Sequence, residues 1–178
     1  PIPGKSQSDL IVGMLGPNRK SSDFMAASLA NSVLGQFGMM GRIGNVVREK
    51  SGLAYYAYSS LHAGIGPGSW EVNAGVNPKN LKKALELIEK ELQLFVKNGV
   101  TKEELADSQA NYVGRLPLSL ESNGGMVSAI LNIHRYDLGM NYYQHYESLV
   151  RKVTRADVLE VARKYIDPGR LVIATAGP

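Results

Sequence analysis

The stretch Val33 to Ser59, VLGQFGMMGRIGNVVREKSGLAYYAYS, holds the join on which the architecture turns. Its left end closes an apolar pattern of helical period over Ser22 to Phe37 (Phe24, Ala27, Leu29, Ala30, Val33, Leu34, Phe37), with Ser21, Ser22 or Asp23 as the N-cap. Gly35, Gly38, Gly41 and Gly44 then recur at every third position. Glycine costs helix stability, so this run predicts a flexible elbow before a second short helix from Arg42 to Lys50. Gly52 stands where a left-handed C′ residue would end that helix. Leu53 to Ala63, with Tyr55, Tyr56 and Tyr58, has the composition of a strand.

Working outward, Asp9 to Leu15 (DLIVGML) is an almost wholly apolar run closed by Gly16-Pro17 and predicts a strand buried on both faces. Ser69 to Val76 pairs with Leu53 to Ala63 as a hairpin, and its alternation predicts Trp70, Val72, Ala74 and Val76 on the buried face. Asn77-Pro78 opens a long helix whose stripe is Leu81, Ala84, Leu85, Ile88, Leu92, Phe95 and Val96, ended by Asn98-Gly99. Thr101 to Glu104 is a capping box for a helix running toward a break at Pro117. Helices are expected near Gly125 to Tyr136, Tyr142 to Val153 and Thr154 to Ile166, the last capped by Thr154 with Asp157. Arg170 to Ala176 closes as a strand. Early strands, a helical second half and one returning strand predict an α+β fold, a mainly antiparallel sheet with helices on one face, with residues 1–178 as a single domain.

Composition narrows the function. At 178 residues, 44% apolar and 20% charged, the chain has the make-up of an ordinary globular domain. It has no cysteine, which excludes disulfides, a thiolate nucleophile and a cysteine zinc site, and leaves the compartment open. No apolar run of about 18 residues predicts membrane insertion. The start, Pro1-Ile2-Pro3-Gly4-Lys5, has neither an initiator methionine nor an apolar signal core, so we expect a chain cut from something longer. The net charge of +4 is not clustered: Lys82, Lys83, Lys90 and Lys97 alternate with Glu86, Glu89 and Glu91, and Arg151, Lys152 and Arg155 sit beside Glu147 and Asp157. Mixed signs on helix surfaces give solubility, not nucleic-acid binding.

The motifs that would give independent chemistry are missing. His62, His134 and His145 have no partner histidine at helical ligand spacing, and one imidazole cannot hold zinc. No P-loop, dinucleotide fingerprint or nucleophile elbow occurs. The strand tyrosines would suit a base-stacking platform, but the signature of that RNA-binding module is absent.

Arg48-Glu49-Lys50-Ser51-Gly52-Leu53-Ala54-Tyr55, set between a glycine-rich loop and a strand, resembles the C-terminal, non-catalytic domain of insulinase and pitrilysin type zinc metallopeptidases. The order of elements from Ser8 to Pro178 agrees with it. The resemblance implies that Arg48 and Tyr55 are the family's arginine and tyrosine pair, which holds the substrate against the catalytic domain. It implies that this chain carries no cofactor and is inert alone, that zinc sits in a partner domain or subunit, and that extended peptide lies between the two. It also implies that Gly35, Gly38 and Gly41 line the substrate chamber, as in the non-catalytic subunit of mitochondrial processing peptidase. Gln36, Phe37, Met39 and Met40 interrupt the family's usual run of adjacent glycines, and a plain helix-breaking elbow explains the loop equally well. A structural, non-proteolytic subunit of the kind found in respiratory complexes is the rival reading.

Overall fold

The computed structural model describes residues 2–178, apart from the side chains of Phe37, Met39 and Met40. Strand β1 (Ser8–Gly16) leads into helices α1 (Phe24–Gly35) and α2 (Phe37–Gly44) and a π-helical turn (Asn45–Glu49). The hairpin β2 (Ala54–His62) and β3 (Gly68–Val76) follows, then a short 3₁₀ turn (Pro78–Asn80) and α3 (Leu81–Asn98). Helices α4 (Lys102–Leu120), α5 (Asn123–Tyr136), α6 (Tyr146–Arg151) and α7 (Arg155–Tyr165) precede β4 (Val172–Ala176). The sheet order is β2-β3-β1-β4 with every pairing antiparallel, so the expected α+β fold is what the chain adopts.

Pleat parity divides the sheet. Trp70, Val72, Ala74 and Val76 of β3 are completely buried, as their alternation predicted, and register places them opposite Met14, Val12, Leu10 and Ser8 of β1. Each large side chain so buried is worth about 1.5–3 kcal/mol. Helices α1 and α2 pack on β2, α3 reaches β3 and α7 reaches β1. Helix α1 is enclosed from Ala26 to Gly35.

Several boundaries differ from expectation for physical reasons. Strand β1 is buried on one face only, since Ile11 is 40% and Leu15 is 74% exposed. An unbroken apolar run cannot show which face lacks a covering layer. The expected elbow falls at Gln36 and inside α2, which is not a regular helix: Gly38 and Gly41 have left-handed φ of 63 and 64, and Gly41 packs tightly back onto the end of α1. Helix α4 continues past Pro117 for one turn, losing the N–H bond that residue would have made to the carbonyl four positions back. The helix expected from Tyr142 shortens to α6, with 142–145 held as turns by bonds such as His145 N to Asn141 O. Both capping boxes form as read, Thr101 with Glu104 and Thr154 with Asp157. The placing of Phe37 on the apolar face of the first helix lies outside the described residues.

Candidate functional site

The three glycines of the loop have different environments. Gly35 is buried, and a β-carbon there would fall inside contact distance of the Ser59 backbone and hydroxyl. Its missing side chain is what lets α1 touch β2. Gly41, at φ 64, sits where a β-carbon would meet Gly35 N at 2.6 Å and Val33 O at 2.7 Å. Gly38, at φ 63, is exposed with open space around it. Of the three, Gly38 is exposed, Gly41 half-buried and Gly35 buried.

Next in sequence comes an anchor that the sequence did not disclose. Arg42 donates from Nε and Nη2 to the two carboxylate oxygens of Glu104, at 2.7 and 2.6 Å, and stacks 5.4 Å from the Phe95 ring centroid. Glu91 lies 3.8 Å from the same guanidinium. The two carboxylates respond oppositely. Burial pushes Glu91 above the ordinary carboxylate range, against the pull of Arg42. Burial also acts to raise Glu104, but the hydrogen bonds from Arg42 and from the Thr101 backbone outweigh it and bring it down. An arginine on a helix of this composition gives no signal of such a tie; the partners are far along the chain.

From that anchor the chain enters the π-helical turn Asn45–Glu49, in which Val47 is fully buried. Such one-turn π segments often accompany functional sites. Gly52, at φ 62, ends the turn as a C′ glycine, with its N–H donating to Arg48 O at 2.8 Å and Leu53 N–H donating to Val47 O at 3.1 Å. The Arg48 backbone is therefore fixed. Its guanidinium is partly exposed, and among the described residues its one ion-pair contact is Glu49, at 3.7 Å.

Tyr55 follows at a break in the sheet register. Ala54 pairs with Val76 and Tyr56 with Gly75, which leaves Tyr55 as the extra residue of a β-bulge. A bulge re-aims the side chain it carries. Tyr55 is 65% exposed, and among the described residues its hydroxyl has no hydrogen-bond partner. Its neighbour behaves otherwise. Tyr56 donates to Asp9 Oδ1 at 2.8 Å, and its ring covers Gly75. Burial, with Asp9 adding to it, pushes the Tyr56 hydroxyl up to about 12.

A second feature escaped sequence reading. The Asn31 Oδ1, almost wholly buried on α1, accepts from Ser59 Oγ at 2.7 Å and Trp70 Nε1 at 2.9 Å. A buried indole N–H needs an acceptor, so the strand tryptophan was the available clue. The histidines are dispersed: His62 lies 3.8 Å from Glu71, His134 is on α5, and His145 contacts Asn141 O. Among the described residues no group of three or more potential ligands could hold a metal ion, and no helix is long and apolar enough to cross a membrane.

The class so defined is an α+β domain that holds an arginine and a tyrosine at an exposed helix-to-strand turn, without a metal-ligand cluster among its described residues. The chain belongs to the family of the peptidase M16 inactive domain, whose model matches residues 1–112. The resemblance carried by Arg48 to Tyr55 is thus borne out. An uncharacterized zinc protease of Streptomyces coelicolor is 32% identical over 124 residues, 70% of this chain and 27% of that protein. One from Mycobacterium bovis is 26% identical over 174 residues, 97% of this chain and 39% of that protein. The chain thus spans well under half the length of these relatives. The crystal structure of a peptidase M16 inactive domain from Pseudomonas fluorescens superposes with a TM-score of 0.89 at 29% identity, covering 98% of this chain and 42% of that one.

Proposed function

We propose that this chain is the substrate-binding and transition-state-supporting half of a zinc metalloendopeptidase, working with a zinc-bearing domain or subunit of the same family. One observation carries the reading: Arg48 and Tyr55 are held by a pinned turn and a bulge, yet the Tyr55 hydroxyl is exposed without a partner among the described residues and the Arg48 guanidinium stays partly open to solvent with only a 3.7 Å approach to Glu49. A stably folded domain ordinarily gives such groups a partner or lets them wave freely on a helix surface. Here the backbone is fixed on both sides of the pair.

The chemistry follows from the donors. Arg48 offers a planar fork of N–H groups and Tyr55 a neutral O–H. An extended peptide crossing the turn would receive both on one carbonyl oxygen. Donors aimed at that oxygen gain strength as it becomes an oxyanion, so their energy appears in turnover more than in ground-state binding. Zinc, in the partner, would supply the Lewis acid at the scissile bond. The residues described in this chain do not fit that ion, and they bind, orient and donate. Exposed Gly38 supports a peptide passing close to the loop, whereas the burial of Gly35 favours the packing explanation at that position.

A structural, non-proteolytic subunit is the second reading. A chain of complex III from Candida albicans shares the fold at 16% identity, TM-score 0.79, over 98% of this chain and 43% of that one. Mixing the zinc-bearing partner with this chain and following cleavage of a fluorogenic peptide separates the two. Arg48→Ala is expected to lower turnover about a hundredfold or more while association is retained. Turnover changed by less than a few-fold would leave the scaffold reading in place.

A further inference from the structure

A cavity of about 420 Å³ opens beside the glycine loop, whose Gln36 is part of its lining. Its walls carry Arg19, Arg115, Tyr112, Tyr142, Tyr143 and Tyr146, and among the described residues no carboxylate lines it. Two positive charges, one of them clamped, in a concave wall of rings that no described carboxylate joins, make an anion site with an apolar body.

The two arginines are prepared differently. Arg19 is clamped: its guanidinium lies 4.1 Å from the Phe24 ring centroid and 5.2 Å from that of Tyr142, and Nη2 donates to the Tyr142 hydroxyl at 3.0 Å. That use leaves most of its five N–H donors uncommitted. Arg115 is exposed at the other wall, with no ion-pair partner among the described residues. Tyr142, Tyr143 and Tyr146 pack edge to face and tilted, with centroids 5.1 to 6.3 Å apart, and form a rigid aromatic floor. Burial pushes the Tyr146 hydroxyl up, so it remains a neutral donor.

A larger cavity of about 620 Å³ on the far side of Arg19 does not have this character. It is lined by Asp23, Asp137, Asp157 and Glu160, two of which are already taken by lysines, Asp23 by Lys164 and Asp137 by Lys20.

We infer that the cavity between Arg19 and Arg115 is a subsite for a carboxylate borne on an apolar body, supplied by an extended peptide as its C-terminal residue or as an acidic side chain. The identity of the ligand as a peptide rests on the function proposed above. The site binds the anion through Arg115 and the free edge of Arg19, and seats the aliphatic part against Leu61, Leu116 and the tyrosine floor. Its adjacency to Gln36 places it next to the loop that the peptide passes.

The test uses this chain and three N-acetylated hexapeptides ending in leucine: a free acid, its C-terminal amide, and an amide with one internal glutamate. Binding is measured by calorimetry at low and high salt. At least one carboxylate-bearing peptide is expected to bind about tenfold or more tighter than the neutral amide, since charge-assisted bonds are the strong ones, and to weaken with salt. Whichever carboxylate gives the advantage names its source. Arg115→Gln, at an exposed position whose fold is checked by its thermal midpoint, should abolish the difference, and Tyr143→Phe should reduce it. Equal binding of all three peptides, or an advantage untouched by Arg115→Gln, overturns the subsite. Arg48→Ala should leave the ratio of carboxylate to amide affinity unchanged whatever it does to both, so a retained ratio with cleavage indifferent to Arg48 would remove the proposed function and not the pocket.

Discussion

The two ends of the stretch Val33 to Ser59 use their polar and glycine residues in opposite ways. At the first end Gly35 lies against Ser59, whose hydroxyl goes to Asn31, and Arg42 is locked bidentate onto Glu104. Gly35 and Asn31 hold α1 to the sheet, and Arg42 ties α2 to α4. At the second end Gly52 fixes the Arg48 carbonyl and a bulge fixes Tyr55, whose hydroxyl has no partner among the described residues, while the Arg48 guanidinium is partly exposed with Glu49 at 3.7 Å. The difference teaches that a motif read as one unit contains a buried brace and an exposed pair that, on the function proposed above, is its tool. Substitutions in the brace should show in stability, and those in the tool in turnover.

The largest effect is expected at Gly35→Ala. The new methyl would enter the space of the Ser59 backbone, which cannot swing away as a side-chain tip could. Overpacking of this kind costs about 1–3 kcal/mol and occasionally more, and we expect the upper end. Urea denaturation measures it. A loss below about 1 kcal/mol would mean that α1 and β2 can separate cheaply, and the brace would lose its main support.

Asn31→Ala should come next. It strands the Trp70 indole N–H in the core, whereas the Ser59 hydroxyl keeps the Asn31 backbone carbonyl at 3.2 Å, and a buried unsatisfied donor costs about 1–3 kcal/mol. The expected loss is therefore about 1–3 kcal/mol. Adding Ser59→Ala should recover little of it, and recovery of most of the loss would move the cost from the indole to the hydroxyl.

Smaller, and opposite in sign, are the effects of the two carboxylates facing Arg42. Glu104 is held below its ordinary range, so its contribution is present above the unfolded carboxylate pKa of about 4.3 and is lost as pH falls through its lower folded value. Glu91 is held above that range, so its contribution is present below about pH 4.3 and is lost as pH rises through its folded value. Glu104→Gln should therefore destabilise at pH 7 and little at low pH. Glu91→Gln should be neutral or stabilising at pH 7, by up to about 1 kcal/mol. Denaturation midpoints between pH 3 and pH 7 read both, and a common sign for the two would refute the assignment.

How much of this was legible follows the same division. Local signals were readable: Gly52 as the end of a helical turn, the boxes at Thr101 and Thr154, and the inward set from Trp70 to Val76 all rest on neighbours a few positions apart. The resemblance from Arg48 to Tyr55 led to the family, which the match over residues 1–112 supports. What could not be read depended on distant partners. Glycines at every third position predict a broken helix, but not the fold-back by which Gly41, left-handed within α2, packs on Val33 and Gly35. The tie from Arg42 to Glu104 and the cavity between Arg19, Arg115 and Tyr142 bring together residues that no local pattern connects. The bare face of β1 was misjudged because an apolar run states burial without stating by what.

The most direct measurement of the central claim is Tyr55→Phe, which removes one oxygen from an exposed ring and nothing else. Followed together, its denaturation midpoint and its support of cleavage by the zinc-bearing partner should part company. The account predicts stability within about 0.5 kcal/mol of the parent, as at other surface positions. It predicts turnover lower by about a hundredfold to a thousandfold, the usual cost of losing one oxyanion donor. Full turnover with unchanged stability would contradict it and make Tyr55 an ordinary strand residue.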